Sequence, residues 1–223
     1  MNNSVMNTAR LLGAGLRALL VLTLVTGVLY PLAVTGIAQG LFHDKANGSE
    51  IVADGRVVGS SLIGQSYNLP LEKGQRTPDA DLRWFQGRPA NGLGANSVNT
   101  RYDLLLSGAT NLSAGNQDLV RQVEAAQAAV VRDNSVPGWT VEPSDVPADA
   151  VTSSGSGLDP DISPAYADLQ VHRVAARNGL SAARVERLVE DHTEGRTLGF
   201  LGEPRVNVLE LNIALKNLVA AKP

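Results

Sequence analysis

"ALLVLTLVTGVLYPLAVTGIAQGLF", residues Ala18–Phe42, contains no charged side chain and is almost wholly apolar. At 1.5 Å per residue a helix of this length reaches roughly 37 Å, more than the ~30 Å hydrocarbon core of a bilayer. Arg10 and Arg17 precede it, and no acidic residue occurs before Asp44. Basic residues on the N-terminal flank hold that side in the cytoplasm. The run therefore divides the chain into a cytoplasmic N-terminus at residues 1–10, a transmembrane helix region at 11–42 and an extracytoplasmic domain at 43–223. The competing reading is a signal peptide cut after Ala38, in the small-x-small triplet Gly36-Ile37-Ala38, which would release a secreted binding protein starting at Gln39. The apolar run exceeds the about 7–15 residues of a signal h-region, which favours a retained single-pass anchor in the cell membrane. Pro31 lies inside the run and predicts a kink there, or support from neighbouring membrane helices. Gly13, Gly15, Gly27 and Gly36 point the same way, because small residues let helices approach closely.

Beyond the anchor, composition narrows the possibilities. All 22 acidic residues, and all but two of the 19 basic ones, lie from Asp44 onward, and the net charge of the chain is −3. That charge is too small and of the wrong sign for a general nucleic-acid binder. A mildly acidic head stays soluble and also favours cations near a pore mouth. The chain has no cysteine, which excludes disulfides, Cys-zinc sites and thiol catalysis. Aromatic residues make up only 4%, so the core must rest on Val, Leu, Ile and Ala.

The pattern from Glu50 onward reads as an α+β domain: a small antiparallel sheet with three to four helices. Ile51-Val52 and Val57-Val58 flank Asp54-Gly55, a hairpin signal. Asn68 to Thr110 is rich in Gly, Pro, Asn and charge and predicts a long irregular excursion, anchored into the core by Trp84-Phe85. Asn116 is placed to cap a helix over 117–132 with Leu119, Val123, Ala126 and Val130 on one face. The connector from Pro137 to Pro147 leaves room for a strand at Trp139 to Val141. Ser163 and Pro164 start a helix whose buried stripe is Ala167, Val171, Val174 and Ala175, and Asn178-Gly179 ends it. Ser181 caps the next, with Val185, Leu188, Val189 and His192 on a face and Gly195 as its stop. Asn207-Val208-Leu209-Glu210 resembles a capping box for the last helix, where Val208, Leu211, Leu215 and Leu218 face inward.

Several kinds of chemistry have no motif here. There is no G-x-x-x-x-G-K-[ST] phosphate loop, no H-E-x-x-H and no G-x-S-x-G. Asp44-Lys45 is followed by Ala46-Asn47, which is not an aspartyl-phosphorylation motif. His43, His172 and His192 lie far apart, and no metal site or catalytic residue is assigned. The segment "SSGSGLDPDISPAYADLQ", Ser153–Gln170, holds the one loop rich enough to suggest a ligand. Helix capping explains Ser163, Pro164 and the neighbouring aspartates. A rigid Gly/Pro loop also suits a partner surface. A helix N-terminus suits phosphate, although Asp159 and Asp161 beside it repel an anion. Two carboxylates do not make a metal site.

Taken in order, "YPLAVTGIAQGLF" (Tyr30–Phe42), "ANGS" (Ala46–Ser49), "VGSSLIGQSY" (Val58–Tyr67), "FQGRPA" (Phe85–Ala90), "SGATNLSAGNQDL" (Ser107–Leu119), "SGSGLDPDISPAYADLQVHRVAARNGL" (Ser154–Leu180) and "TLGFLGEPRVNVLELNIAL" (Thr197–Leu215) resemble the C subunit of the Kdp potassium-transporting P-type ATPase. The ordered set covers nearly the whole chain. The segment after the anchor at His43-Asp44, the stretch 68–83 and residues 91–103 depart from the family pattern. The resemblance implies a non-catalytic, single-span subunit of a four-part potassium importer. Its partners would be a channel-like potassium-binding subunit, an ATP-hydrolysing pump subunit and a small accessory subunit, within the lipid bilayer. It implies no cofactor of its own. In the family this subunit is also described as a catalytic chaperone that raises the pump's ATP affinity. On that view Gln170 touches nucleotide, with Ser154, Gly155, Ser156 and Gly157 nearby. The charge flanking the anchor puts Gln170 outside the cell, where ATP is scarce. That favours an assembly and stabilising subunit whose outer domain covers the potassium entrance, with Gln170 bonding inside the fold or to the channel-like subunit.

Overall fold

The computed structural model describes residues 2–75, 78–89 and 107–221, so residues 76–77 and 90–106 of the irregular excursion expected from Asn68 to Thr110 lie outside the described residues. The chain forms two compact units, Met1–Glu50 and Ile51–Pro223.

The first unit is helical. α1 (Asn2–Leu24) runs through one π-helical stretch, Val25–Leu29, into α2 (Tyr30–Leu41), and a single turn, α3 (His43–Ala46), follows. The π stretch has a local cause. Pro31 has no N–H to give, and its ring crowds the carbonyl one turn back. The Tyr30 N–H accordingly reaches the carbonyl of Val25, five residues away. The bonding defect expected at Pro31 is thus taken up as a π turn just before it. Thr26 Oγ1 donates to the Leu22 carbonyl at 2.7 Å and shields one hydroxyl of this stretch. The helix Ser4–Leu41 is long and apolar enough to cross a membrane. Gln39 and Asn47 pair their side-chain amides at 3.1–3.2 Å and fasten the turn after it.

The second unit is α+β. β1 (Glu50–Ala53) and β2 (Arg56–Ser60) make the expected hairpin, and Asp54 and Gly55 both take positive φ in its turn. A second, three-stranded antiparallel sheet has the order β3 (Asp161–Ile162), β5 (Arg205–Asn207), β4 (Thr193–Glu194). Around it stand α4 (Gln117–Asn134), α6 (Pro164–Asn178), α7 (Ala182–Asp191) and α8 (Val208–Ala220), with a 3-10 turn at Pro143–Asp145 and a one-turn helix, α5 (Ala148–Val151), in the connector. α6 is the central element and packs on α7, α4 and β5. Val171, Val174, Val185, Val189, Val206, Leu211 and Leu215 are almost wholly buried. Each such side chain contributes about 1.5–3 kcal/mol by leaving water, and a core of this type replaces the aromatics the chain lacks.

The helix boundaries follow their caps. The Asn116 side chain accepts from the Asp118 and Leu119 amides. Ser163 Oγ accepts from the Tyr166 amide at 3.1 Å, and Gly179 ends α6 at φ 61°, ψ 39°. That left-handed cap is nearly free for glycine and strained for most other residues. Asn207 accepts from the Glu210 amide at 3.2 Å and donates to the Ser61 carbonyl and Asp161, so the cap also ties the sheet to the hairpin end. Three expectations fail. Ser181 precedes α7, but its side chain makes no capping bond. The turn Pro137-Gly138, with Gly138 at φ 83°, closes Val136 onto Trp139 as an isolated bridge, so no strand forms at Trp139–Val141. The Trp139 ring is used instead to stack on His172, 3.7 Å between centroids. α7 stops at Asp191 rather than at Gly195, because Thr193 is drawn into register with Val206.

Candidate functional site

Residues 81–88, Asp-Leu-Arg-Trp-Phe-Gln-Gly-Arg, cross the head as an irregular strap that opens in a turn at Leu82-Arg83 and belongs to no sheet. Its main chain must find partners elsewhere, since buried amides and carbonyls are costly when unpaired. Polar side chains from two helices, α6 and α8, supply them. Asn212 of α8 accepts from the Phe85 amide and donates to the Phe85 carbonyl, both at 2.9 Å. Gln170 of α6 does the same for Gln86, accepting at 2.7 Å and donating at 3.0 Å. Asn178 donates to the Arg83 carbonyl at 2.8 Å. The Asn212 and Gln170 carboxamides thus each act as a one-residue strand edge.

Arg173, one turn beyond Gln170, completes the clamp. Its guanidinium donates to the Leu82 carbonyl, to the Trp84 carbonyl at 3.0 Å, to Asn134 Oδ1 of α4 at 2.8 Å and to Gln170 Oε1 at 2.6 Å. The side chain is 1% exposed. Burial pulls its pKa down to about 10, which leaves it charged at neutral pH. The charge is spread over neutral oxygens rather than neutralised by one contacting carboxylate. Burial likewise pushes the Tyr166 phenol up to about 12. At the strap's start, the Arg83 guanidinium hydrogen-bonded to Asp81 at 2.6 Å holds that carboxyl below its usual range.

The far end of the strap borders a cleft of about 220 Å³. Gln86, Gly87 and Arg88 form one wall, Gly64 and Gln65 a second, and Ser154, Gly157 and Asp159 a third. Arg88 is already engaged: it pairs with Asp159 at 3.1 Å and donates to the carbonyls of Thr152 and Ser153. The glycine at 64 is sterically required, because an added Cβ would lie 2.6 Å from the Asp159 carbonyl oxygen.

The five residues singled out from the sequence are therefore placed differently from one another. Ser154 and Gly157 line the cleft. The Ser154 hydroxyl accepts from the Gly157 amide at 2.9 Å, and Ser156 Oγ accepts from the Leu158 amide at 3.1 Å, so the serines build the loop's own turns. Gly155 is exposed. Gln170 is fully buried behind the cleft and reaches it only through Gln86. The N-terminus of α6 is closed from within: both Asp149 carboxylate oxygens accept from Ser163, from its amide at 2.7 Å and its hydroxyl at 2.9 Å. That carboxylate takes the place an external anion would use.

A second, wider cleft, about 570 Å³, holds the Trp139–His172 stack beside Asp145, Asp168, Glu186 and Glu190. Burial pushes the Asp168 carboxyl up, and Glu186 and Glu190 add to it. Among the described residues no group of three or more histidines, cysteines or carboxylates is arranged to hold a metal ion.

Sequence reasoning found Phe85 but missed Arg173, Asn134 and Asn212. Each is a polar residue on a helix face otherwise read as apolar or solvated, and only that position on the buried stripe hinted at it.

Comparison with known proteins finds similar sequences along nearly the whole chain. The family described as "K+-transporting ATPase, c chain" (KdpC) matches residues 12–217. A "Potassium-transporting ATPase KdpC subunit" of Streptomyces avermitilis is 77% identical over 99% of both chains. The subunit of the same name from Gemmatimonas aurantiaca is 48% identical over 93% of this chain and 95% of its own length. One from Mycobacterium tuberculosis (strain H37Rv) is 44% identical over 91% of this chain and 96% of its own. With a family match over most of its length and near full-length relatives of this identity, the chain belongs to the KdpC family, the c chains of K+-transporting ATPases.

Proposed function

We propose that the chain is a non-catalytic subunit of an ATP-driven potassium importer and that it holds the complex together. Its helix packs among membrane helices of the other subunits. Its head, on the extracytoplasmic face, covers the potassium entrance of the channel-like subunit. The observation carrying this reading is the near full-length likeness to potassium-transporting ATPase subunits. Two further features support it. No residue of Val25–Leu41 is buried within the chain, although the segment is almost entirely apolar. Such a surface needs lipid or other membrane helices around it. Arg10 and Arg17 before the span favour a cytoplasmic N-terminus. Detergent extracts of cells lacking this chain are expected to contain a dissociated or inactive pump, with potassium uptake near background at limiting potassium. Normal assembly and uptake in its absence would sink the reading.

The cleft beside Arg88 favours a second reading, in which the chain helps the pump subunit bind ATP. Arg88 would meet phosphate oxygens, with Ser154–Gly157 alongside and Gln170 as a nucleotide contact. This requires Arg88 to leave Asp159, Gln170 to release Gln86, and the head to face the cytoplasm. Titration of the full-length chain with ATP tests it: saturable binding that Gln170→Ala abolishes, with the fold intact, supports nucleotide contact. No binding at millimolar ATP assigns the cleft a structural role.

A further inference from the structure

Between β4 and β5 the chain projects a short hairpin, residues 195–204, whose tip is apolar. Leu198 is 79% exposed, Phe200 67% and Leu201 51%. Ordinary surface leucines occur singly, whereas three large apolar residues within four positions make a patch. The tip is rigid. Thr197 and Leu201 exchange both main-chain hydrogen bonds at 2.9 Å. Leu198, Gly199 and Gly202 all take positive φ, at 55°, 80° and 79°. Leucine is seldom found in that conformation, and it is held here by the turn around it. Arg196 pairs with Glu203 at 2.7 Å and Arg205 with Glu194 at 2.6 Å across the hairpin stem. The fold therefore holds an exposed apolar knuckle in one shape.

We propose that this knuckle, Leu198-Gly199-Phe200-Leu201, docks into an apolar pocket on the extramembrane surface of a neighbouring subunit of the same membrane complex. The inference rests on the subunit role proposed above. Area decides against a second copy of the chain. The three side chains expose on the order of 400 Å², the size of one functional patch, about half of the ~800 Å² per partner that a free-standing interface buries. Tip-to-tip pairing would be too small to hold a dimer. The same area suffices for a partner subunit that other contacts of the complex already hold beside it, because that linkage raises the effective concentration. A preorganised tip also loses little conformational entropy on docking. Charge decides against the lipid surface. All four charged residues from Glu194 to Arg205 are matched in sign and paired with one another, whereas headgroup binding draws on unpaired basic residues.

The test uses the intact complex, purified from native membranes through a tag on this chain. Replacing Leu198 by Asn, which tolerates positive φ, together with Phe200→Ser is expected to lower co-purification of the other subunits by about tenfold, as loss of hot-spot side chains does. Phe200→Leu is expected to retain most of it. Leu62→Ser, at another exposed leucine, is expected to change nothing. A photo-crosslinking residue at position 200 in the otherwise native chain is expected to capture a protein subunit, and it reports on docking even if the double variant folds poorly. Crosslinks to lipid, or to a second copy of this chain, overturn the proposal. So does undiminished co-purification of the double variant. If the unaltered chain brings down no other subunit, the subunit role itself fails and the docking proposal falls with it.

Discussion

Replacing Arg173 with alanine is expected to lower the unfolding free energy of the chain by about 3–5 kcal/mol, the range for removing one member of a buried charged network. That is a large share of the 5–15 kcal/mol typical of a whole domain. Four acceptors take bonds from this guanidinium, the Leu82 and Trp84 carbonyls, Asn134 Oδ1 and Gln170 Oε1, and the Trp84 carbonyl and Gln170 Oε1 also keep a bond from Gln86. Each buried acceptor left without a donor costs about 1–3 kcal/mol, less where water enters. The planar fork of arginine reaches all four, and a lysine ammonium presents its donors from one point. Arg173→Lys is therefore expected to recover less than half of the loss. Arg173→Met separates packing from hydrogen bonding, since it fills the volume and supplies no donor. Denaturant unfolding of the full-length chain in detergent, followed by tryptophan fluorescence, reads the effect. Trp84 sits in the strap and Trp139 on the other side of α6, so the two report on different neighbourhoods. A methionine variant within about 1 kcal/mol of the unaltered chain would mean that the network adds no net stability, as happens when some buried ion pairs are replaced by apolar residues. The cleft is expected to loosen in the alanine variant as well, because Gln86 and Arg88 belong to the strap that Arg173 holds.

Phe85→Ala is expected to cost about 3–5 kcal/mol, the range for emptying a phenylalanine site in a core. Phe85 is 0% exposed and its main chain is fixed on both sides by Asn212. The backbone cannot readily sink into the vacated space, so a cavity persists and the loss falls at the upper end. Phe85→Leu keeps most of the volume and is expected to lose less than about 1.5 kcal/mol. The midpoint of denaturant unfolding should order the three as Phe, Leu, Ala. Equal midpoints for the first and last would show that the strap is not seated in the core as described.

Features that are local in the chain were legible from it. The uncharged run Ala18–Phe42 gives the long apolar helix. Asp54-Gly55 gives a hairpin, because the turn needs positive φ at adjacent residues. Asn116, Ser163, Gly179 and Asn207 set helix limits within a residue or two, because a cap satisfies amides or carbonyls a few positions away. The stripe Ala167, Val171, Val174 and Ala175 is buried as its spacing requires. The same spacing did not show that Gln170 and Arg173 are buried too, because a polar residue at the margin of a stripe fits a solvated face equally well. The loop at Ser154–Gly157 was visible as a special segment, but whether its hydroxyls face a ligand or cap the loop's own amides depends on coordinates.

From sequence alone came the membrane-length helix, the α+β class of the head and the family, since these rest on periodicity, turn chemistry and an ordered set of motifs. Tertiary structure alone decided what the polar residues do. Gln170, Arg173 and Asn212 meet strap residues 84 to 127 positions away, and Leu198 and Phe200 stay uncovered. Partnerships at that separation are chosen by how whole elements pack, and no local rule of the chain encodes which carbonyl a buried amide will find.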